Sequence, residues 1–291
     1  MKKILVTGVN SYIGNSFREH MKNFPEYTVD GISCRDGKWK DADFSGYDCV
    51  FHVAGIAHAD SGKITPERAA EYYRVNRDLT RDVAEKAKAE GAGQFIFMSS
   101  AIVYGDSAPI GEHKIINRST SPVPSGAYGD SKLQAENSVL PLDCDSFRVC
   151  ILRPPMIYGR GSKGNYPVLA KLAGALPVFP KVDNRRSMLY IENLTEFVRL
   201  MIKNEEHGIF FPQNAEYSNT TELACMIAEA KGKHILVVPG TTPALKLLSK
   251  FTPLVDKAFG SLAYEMEMSE YRENYRLFPL SESIERTEGR I

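Results

Sequence analysis

Five short apolar runs, at 3–7, 28–33, 49–53, 95–99 and 148–153, alternate with helical patterns through the first half of the chain. A run this short needs neighbours for its backbone groups. Strand–helix–strand alternation supplies them through right-handed crossovers in a parallel sheet. Helical periodicity occupies 13–24, 66–89 and 128–140. Thr65-Pro66-Glu67 opens the long middle helix with an N-cap, a proline and an early acid, and Glu90-Gly91 closes it. The expected fold is α/β, a doubly wound parallel sheet with helices on both faces.

After Pro154 the texture changes. Gly, Pro and basic residues crowd 158–167, and helices are expected at 168–175, 192–204, 221–231 and 243–259, with a strand at 208–211. This predicts a larger domain over 1–160 and a smaller lobe over 161–291, with 192–212 returning to the main sheet. In the last helical pattern, Leu245, Leu248 and Phe251 form a stripe beside Lys246 and Lys250. It reads as packing within the lobe in preference to a membrane-surface helix, because amphipathic helices are the default in globular proteins.

Composition excludes several classes. The 36 basic and 36 acidic residues balance, against a general nucleic-acid or anionic-membrane surface. Five widely spaced cysteines without a C-x-x-C fit a reduced interior better than a disulfide scaffold. Met-Lys-Lys runs straight into an apolar strand, so no signal peptide is expected, and no run reaches the roughly 18 apolar residues of a membrane span. A cytoplasmic location is the expectation. His52 lacks companions at metal-ligand spacing and reads as a buried, hydrogen-bonded histidine, so no metal is assigned.

Thr7-Gly8-Val9-Asn10-Ser11-Tyr12-Ile13-Gly14 falls where a strand ends and a helix begins. Gly8 suits a tight turn, Gly14 suits close helix–sheet packing, and the helix N-terminus suits a pyrophosphate. Ser11 stands where a middle glycine is expected; its side chain either hinders the backbone's approach or binds a phosphate itself. The second strand carries no acid at its tip, only Ser33. Arg35 fits a 2′-phosphate and Asp36 a ribose diol, leaving NAD and NADP both open. Val53-Ala54-Gly55 ends the next strand with small residues, as a backbone passing beneath a nucleotide requires.

Tyr128-Gly-Asp-Ser-Lys132 puts a phenol and an ammonium on one helical face. Such an ammonium is expected to lower the phenol's pKa towards neutrality, making it an acid/base. Ser100, at the end of an apolar strand, is placed to hold the substrate oxygen. Behind a nucleotide-binding opening, the trio reads as a redox site.

Taken in order, Thr7-Gly8…Gly14, Phe51-His-Val-Ala-Gly55, Val75-Asn76, Ser99-Ser-Ala-Ile-Val-Tyr-Gly105, Tyr128…Lys132, Leu152-Arg-Pro154 and Arg186-Ser-Met-Leu-Tyr-Ile-Glu-Asn193 resemble the extended short-chain dehydrogenase/reductases, the nucleotide-sugar epimerase/dehydratase family. The resemblance implies a Rossmann-type fold with the dinucleotide bound by 1–160 and the substrate by the lobe over 161–291, an NAD cofactor with NADP as the alternative, and a UDP-sugar substrate. By position it makes Ser100, Tyr128 and Lys132 catalytic. It assigns the cofactor to Gly8, Ser11, Tyr12, Ile13, Gly14, Arg35, Ala54, Gly55, Asn76, Lys132 and Pro154. It assigns the substrate to Ser100, Tyr128, Asn165 and Arg186, although Arg185 and Arg186 by themselves read as a solvated pair.

Two departures narrow the activity. Ala101 and Ile102 replace the Asp-Glu pair of 4,6-dehydratases, which argues against dehydration, and Met156 replaces an asparagine common in epimerases. Gly161-Ser-Lys-Gly-Asn165 with Asn184-Arg-Arg-Ser187 resembles a bacterial surface-polysaccharide subgroup. The implied activity is C4 epimerisation of a UDP-hexose or UDP-N-acetylhexosamine. A C4 reductase of a UDP-4-keto-6-deoxy-hexosamine is the alternative, and a non-catalytic dinucleotide sensor the remote one. The family also implies a homodimer through the helices at 66–89 and after Tyr128.

Overall fold

The computed structural model describes residues 1–56 and 64–290. In chain order its elements are β1 (Lys2–Thr7), α1 (Tyr12–Met21), β2 (Tyr27–Ile32), β3 (Cys49–His52), α2 (Pro66–Tyr72), α3 (Leu79–Ala89), β4 (Gln94–Met98), β5 (Ile115–Ile116), α4 (Ala127–Val139), β6 (Arg148–Leu152) and β7 (Met156–Tyr158). They continue with α5 (Asn165–Ala175), β8 (Val178–Pro180), β9 (Met188–Tyr190), α6 (Ile191–Lys203), β10 (Gly208–Phe210), α7 (Thr220–Ala230), β11 (Leu236–Val238), α8 (Thr242–Ser249), α9 (Pro253–Phe259), β12 (Ala263–Tyr264) and α10 (Leu280–Glu288). Two compact units result. The first is Met1–Gly105, Ser121–Pro154 and Leu194–Pro212; the second is Asp106–Thr120, Pro155–Asn193 and Gln213–Ile291.

The first unit holds a six-stranded sheet in the order β10-β6-β4-β3-β1-β2, every neighbouring pair parallel. This is the α/β sheet that the alternation predicts. β3 and β4 are buried at every residue, so both faces are covered and their sequences are apolar without a break. Leu5, Val50, Phe95, Phe97 and Ile151 of the sheet pack with Val83, Ala84 and Ala87 of α3 and Ala135 and Val139 of α4. From β1 the chain steps outward to β2, then crosses back to β3 on the other side. Ligands of open parallel sheets bind in the crevice that such a reversal opens at the strands' carboxyl ends.

The helix expected over 66–89 is interrupted. Tyr73–Asp78 widens into a π-helical turn, with Asn76 fully buried within it. Such turns are concentrated at functional sites.

In the second unit, β5 pairs with β12, β7 with β9 and β8 with β11, all in parallel. This unit begins at Pro155, not 161, and claims Asp106–Thr120, which the sequence reading leaves in the first domain. The reason is β5, a two-residue strand whose partner β12 lies far along the chain. The helix expected over 243–259 is two, α8 and α9, because Pro253 lacks an amide hydrogen and disfavours helix at Thr252. Only Leu245 of the apolar stripe packs inward, on Ile110, Val182 and Val255. Leu247, Leu248 and Phe251 are 59%, 50% and 80% exposed, so lobe packing does not account for this helix. No helix among the described residues is long and apolar enough to cross a membrane.

Candidate active site

At the carboxyl end of β1, Gly8 takes φ +78°, and a Cβ there would lie 2.8 Å from the Ala54 amide nitrogen. Only glycine both adopts this turn and lets the two strand ends meet. Ser11 neither hinders the loop nor points a free acceptor outward. It caps α1, its Oγ accepting from the Gly14 amide at 3.0 Å. Tyr12 and Ile13 form the first turn of α1. A Cβ on Gly14 would approach Ser11 Oγ to 2.9 Å and the Gly8 carbonyl to 3.1 Å. Arg35 is exposed beyond β2, its amide donating to Ser33 Oγ at 3.3 Å.

His52 is fully buried, with Nδ1 2.8 Å from Thr7 Oγ1 and Nε2 3.1 Å from Thr80 Oγ1. Burial, with the nearby Lys132 charge, pushes its pKa down to about 3. It is a neutral, structural histidine. Among the described residues no group of three or more His, Cys, Asp or Glu side chains is placed to hold a metal.

Three predicted residues converge beyond β3 and β4. Asn76 Oδ1 accepts from the Ile56 amide at 2.8 Å, and its Nδ2 donates to the Ile56 carbonyl at 3.1 Å and to Ser131 Oγ at 3.2 Å. The side chain thereby grips the loop after β3 as a backbone strand would. A Cβ on Gly55 would lie 3.1 Å from Asn76 Oδ1 and 3.4 Å from Lys132 Nζ. Lys132, 6% exposed, donates to the Met98 carbonyl at 2.9 Å, with Nζ 4.7 Å from the Phe97 ring centre. Burial lowers its pKa to about 8, against an opposing pull from Glu136.

Tyr128 lies in the first turn of α4, with the Ser100 hydroxyl near enough to its phenol to bear on the phenol's ionisation. Ser100 Oγ also accepts from the Ile102 amide at 3.3 Å, capping the turn Ala101–Tyr104. That turn is pinned to β6 by the Ala101 amide, which donates to the Pro154 carbonyl at 2.9 Å. The expected lowering of the Tyr128 pKa is not found. Burial raises the phenol to about 12, the Ser100 hydroxyl pulls it down, and Tyr72, with rings 5.7 Å apart, adds to the rise. The Lys132 ammonium is held by the Met98 carbonyl, and in the protein alone burial outweighs it.

Two supporting features escape the motif reading. Gly129 packs so closely that a Cβ would fall 2.9 Å from the Ile102 carbonyl oxygen, bringing α4 against the Ser100 turn. Glu136, fully buried one turn beyond Lys132, pairs with Arg153 at 2.5 Å and accepts from Ser99 Oγ. Arg153 Nη1 also donates to the Tyr104 hydroxyl at 2.7 Å. This buried ion pair ties β6, α4 and the Ser100 turn together. Its signal in the sequence was an acid four residues after the lysine, on the same helix face.

The remaining predicted residues belong to the second unit. Asn165 is the exposed first residue of α5. Arg186 is half-buried, not a solvated loop residue, and its Nη1 donates to the carbonyls of Lys257 (2.8 Å) and Ala258 (3.0 Å) at the end of α9. Burial alone lowers its pKa to about 10, and among the described residues no carboxylate pairs with it.

A family model described as "NAD dependent epimerase/dehydratase family" matches residues 4–211. The chain belongs to that family. Its Rossmann-type fold, enzyme class and nicotinamide dinucleotide cofactor, as expected from the motifs, follow from the membership. The chain is 27% identical over 290 residues to UDP-glucose 4-epimerase of Vibrio cholerae, covering 91% of this chain and 88% of that protein. It is 29% identical over 227 residues to N-acetyl-alpha-D-glucosaminyl-diphospho-ditrans,octacis-undecaprenol 4-epimerase of Escherichia coli O157:H7, covering 70% and 64%.

Among solved structures, UDP-glucuronic acid 4-epimerase from Bacillus cereus in complex with NAD matches with TM-score 0.75 at 17% identity, covering 99% of this chain and 98% of that one. A dTDP-4-dehydrorhamnose reductase from Clostridium acetobutylicum matches with TM-score 0.72 at 20% identity, covering 98% of each. At these identities the likeness is one of fold. The epimerase/dehydratase cofactor fits the residues of this chain, because side chains at Gly8, Gly14 and Gly55 would fill the floor between β1 and β3.

Proposed function

We propose that the protein is an NAD(P)-dependent C4 epimerase of a UDP-hexose or UDP-N-acetylhexosamine. The observation that carries the reading is the convergence of Ser100 and Tyr128 beside the Gly55–Asn76–Lys132 cluster. The 4-epimerase names of the two relatives above support the substrate class. The α1 N-terminus, with Gly8, Ser11, Tyr12, Ile13 and Gly14, would hold the pyrophosphate, and Arg35 would serve the adenine ribose. Ala54, Gly55, Asn76, Lys132 and Pro154 shape the nicotinamide end. The bound dinucleotide supplies the hydride acceptor and, when oxidised, a positive charge that favours tyrosinate.

Tyr128 takes the proton of the C4 hydroxyl as hydride leaves C4, and Ser100 donates to the developing carbonyl oxygen. The 4-keto sugar then turns, Tyr128 returns the proton to the C4 oxygen, and the hydride held by the reduced dinucleotide would return to the other face of C4. Lys132 keeps its charge below a pH of about 8 and so favours the tyrosinate near neutrality. Arg186, with no carboxylate partner among the described residues, is suited to the substrate diphosphate, and Asn165 to the same ligand. Ala101 and Ile102 offer no acid or base, which sets dehydration aside.

The test is incubation with UDP-N-acetylglucosamine and UDP-glucose, with no cofactor added, followed by product analysis. Formation of the galacto isomer supports the epimerase. No conversion, with NAD(P)H consumed once a 4-keto-6-deoxy UDP-sugar is supplied, makes the protein a C4 reductase.

A homodimer through α2, α3 and α4 belongs to the same proposal. Tyr73 donates to Asp130 at 2.7 Å and Arg77 to Gln134 at 2.9 Å, joining these helices into one face. A monomeric mass by light scattering at micromolar concentration would contradict it.

A further inference from the structure

The second unit carries an uncommon surface. Val168, Leu172 and Leu176 expose 61%, 43% and 43% of their area at four-residue spacing along α5 and its end. Val178 and Leu236, exposed by 46% and 68%, are direct partners in the β8–β11 pair, and Val238 follows on the same face two residues on. Three residues after β11 comes α8, with Leu247, Leu248 and then Phe251, the last exposed by 80%. The inner residue of α8, Leu245, packs on Val182, next to Lys181, whose amide donates to the Val238 carbonyl at 2.9 Å. The α5 end, the β8–β11 face and α8 are therefore contiguous.

Charge within these elements has one sign; the bordering acids Asp183 and Glu222 lie beside Val237, which strand alternation turns to the face opposite Leu236 and Val238. No Asp or Glu occurs from 146 to 182, nor from 230 to 255, in a chain whose 36 acids and 36 bases otherwise balance. The exposed lysines on or beside these elements are Lys171, Lys181, Lys231, Lys233, Lys246 and Lys250, of which Lys231 pairs with Glu288. A protein partner matched to this face would need acids at several fixed positions. An anionic bilayer offers negative charge everywhere and an apolar layer just beneath it.

We propose that this face, centred on α8, docks the protein peripherally on an anionic phospholipid membrane. Leu247, Leu248 and Phe251 enter the headgroup–acyl boundary, while Lys246 and Lys250 contact phosphate. The inference is independent of the C4 chemistry.

The full chain is sedimented with vesicles of equal parts phosphatidylglycerol and phosphatidylcholine, and with vesicles of phosphatidylcholine alone. Binding to the anionic vesicles is expected to exceed binding to the neutral ones by at least about tenfold, and to weaken with added salt. The pair Leu247→Ser and Phe251→Ser is expected to weaken it by at least about tenfold with thermal unfolding unchanged, since both side chains face solvent. Lys246→Gln and Lys250→Gln should each weaken it about fivefold. In Phe251→Trp, fluorescence should shift to the blue on anionic vesicles, while the native Trp39, 4% exposed, stays unchanged. Equal sedimentation with both vesicles, or with neither, would overturn the proposal. So would a concentration-dependent self-association removed by the serine pair, which would make the face a contact between copies.

Discussion

Replacing Lys132 by methionine should inactivate the enzyme and stabilise the fold. Lys132 is 6% exposed and its pKa falls from 10.5 to about 8 through burial. At about 1.4 kcal/mol per unit, the folded state disfavours the charged form by about 3 kcal/mol near neutrality. Methionine matches the side chain's length and carries no charge, but it forfeits the hydrogen bond to the Met98 carbonyl, a loss of about 1–2 kcal/mol. The net expectation is a gain of about 1–2 kcal/mol at pH 7.

The pH dependence is the sharper signature. Unfolded lysine keeps its proton up to 10.5, whereas the folded site gives it up near 8, so folding releases a proton between those values. This site's share of stability therefore rises with pH across that window in the native protein and not in the variant. The variant's advantage should be largest below pH 8 and shrink towards pH 10.5. Urea unfolding followed by circular dichroism, at pH 7 and at a pH of about 9.5, reads it directly. A variant less stable than the native protein at pH 7, or a difference that does not change with pH, would refute the reasoning.

Gly129→Ala places a methyl 2.9 Å from the Ile102 carbonyl, so it should separate Ser100 from Tyr128 and lower kcat about tenfold or more while dinucleotide binding by calorimetry is kept. Glu136→Gln leaves Arg153 charged and buried without its partner; unfolding in urea should show a loss of about 3–5 kcal/mol. His52 is neutral in the fold with a pKa near 3 against 6.5 unfolded, so stability from this site is intact above 6.5 and is lost as pH falls towards 3. Between pH 6.5 and 4.5 that loss is about 2 kcal/mol, and replacing His52 by asparagine should flatten the corresponding part of the thermal-unfolding profile.

The sheet is legible in the sequence because strands covered on both faces have no polar alternation to break their apolar runs; β3 and β4 are the clearest cases. The Tyr128–Lys132 pair is legible because helical spacing alone puts two side chains on one face. Other features depend on contacts that no local pattern records. The π-helical turn exists around Asn76, whose three hydrogen bonds reach Ile56 and Ser131. Arg186 meets carbonyls about seventy positions away, and a two-residue strand carries β5 into the second unit. Pro253 was a plain signal for dividing α8 from α9, whereas amphipathic spacing says that a stripe exists and not what covers it. The phenol's pKa follows the same lesson: spacing brings Lys132 near Tyr128, but burial decides the direction.

The central claim is that Tyr128 moves the proton at C4 of a nucleotide sugar. The most direct test compares native protein with Tyr128→Phe in the UDP-sugar incubation, with product followed by NMR and bound dinucleotide quantified in both. The account predicts C4 inversion by the native protein and a fall of about a hundredfold to ten-thousandfold in the variant, with dinucleotide still bound. A variant that inverts C4 at the native rate would contradict it.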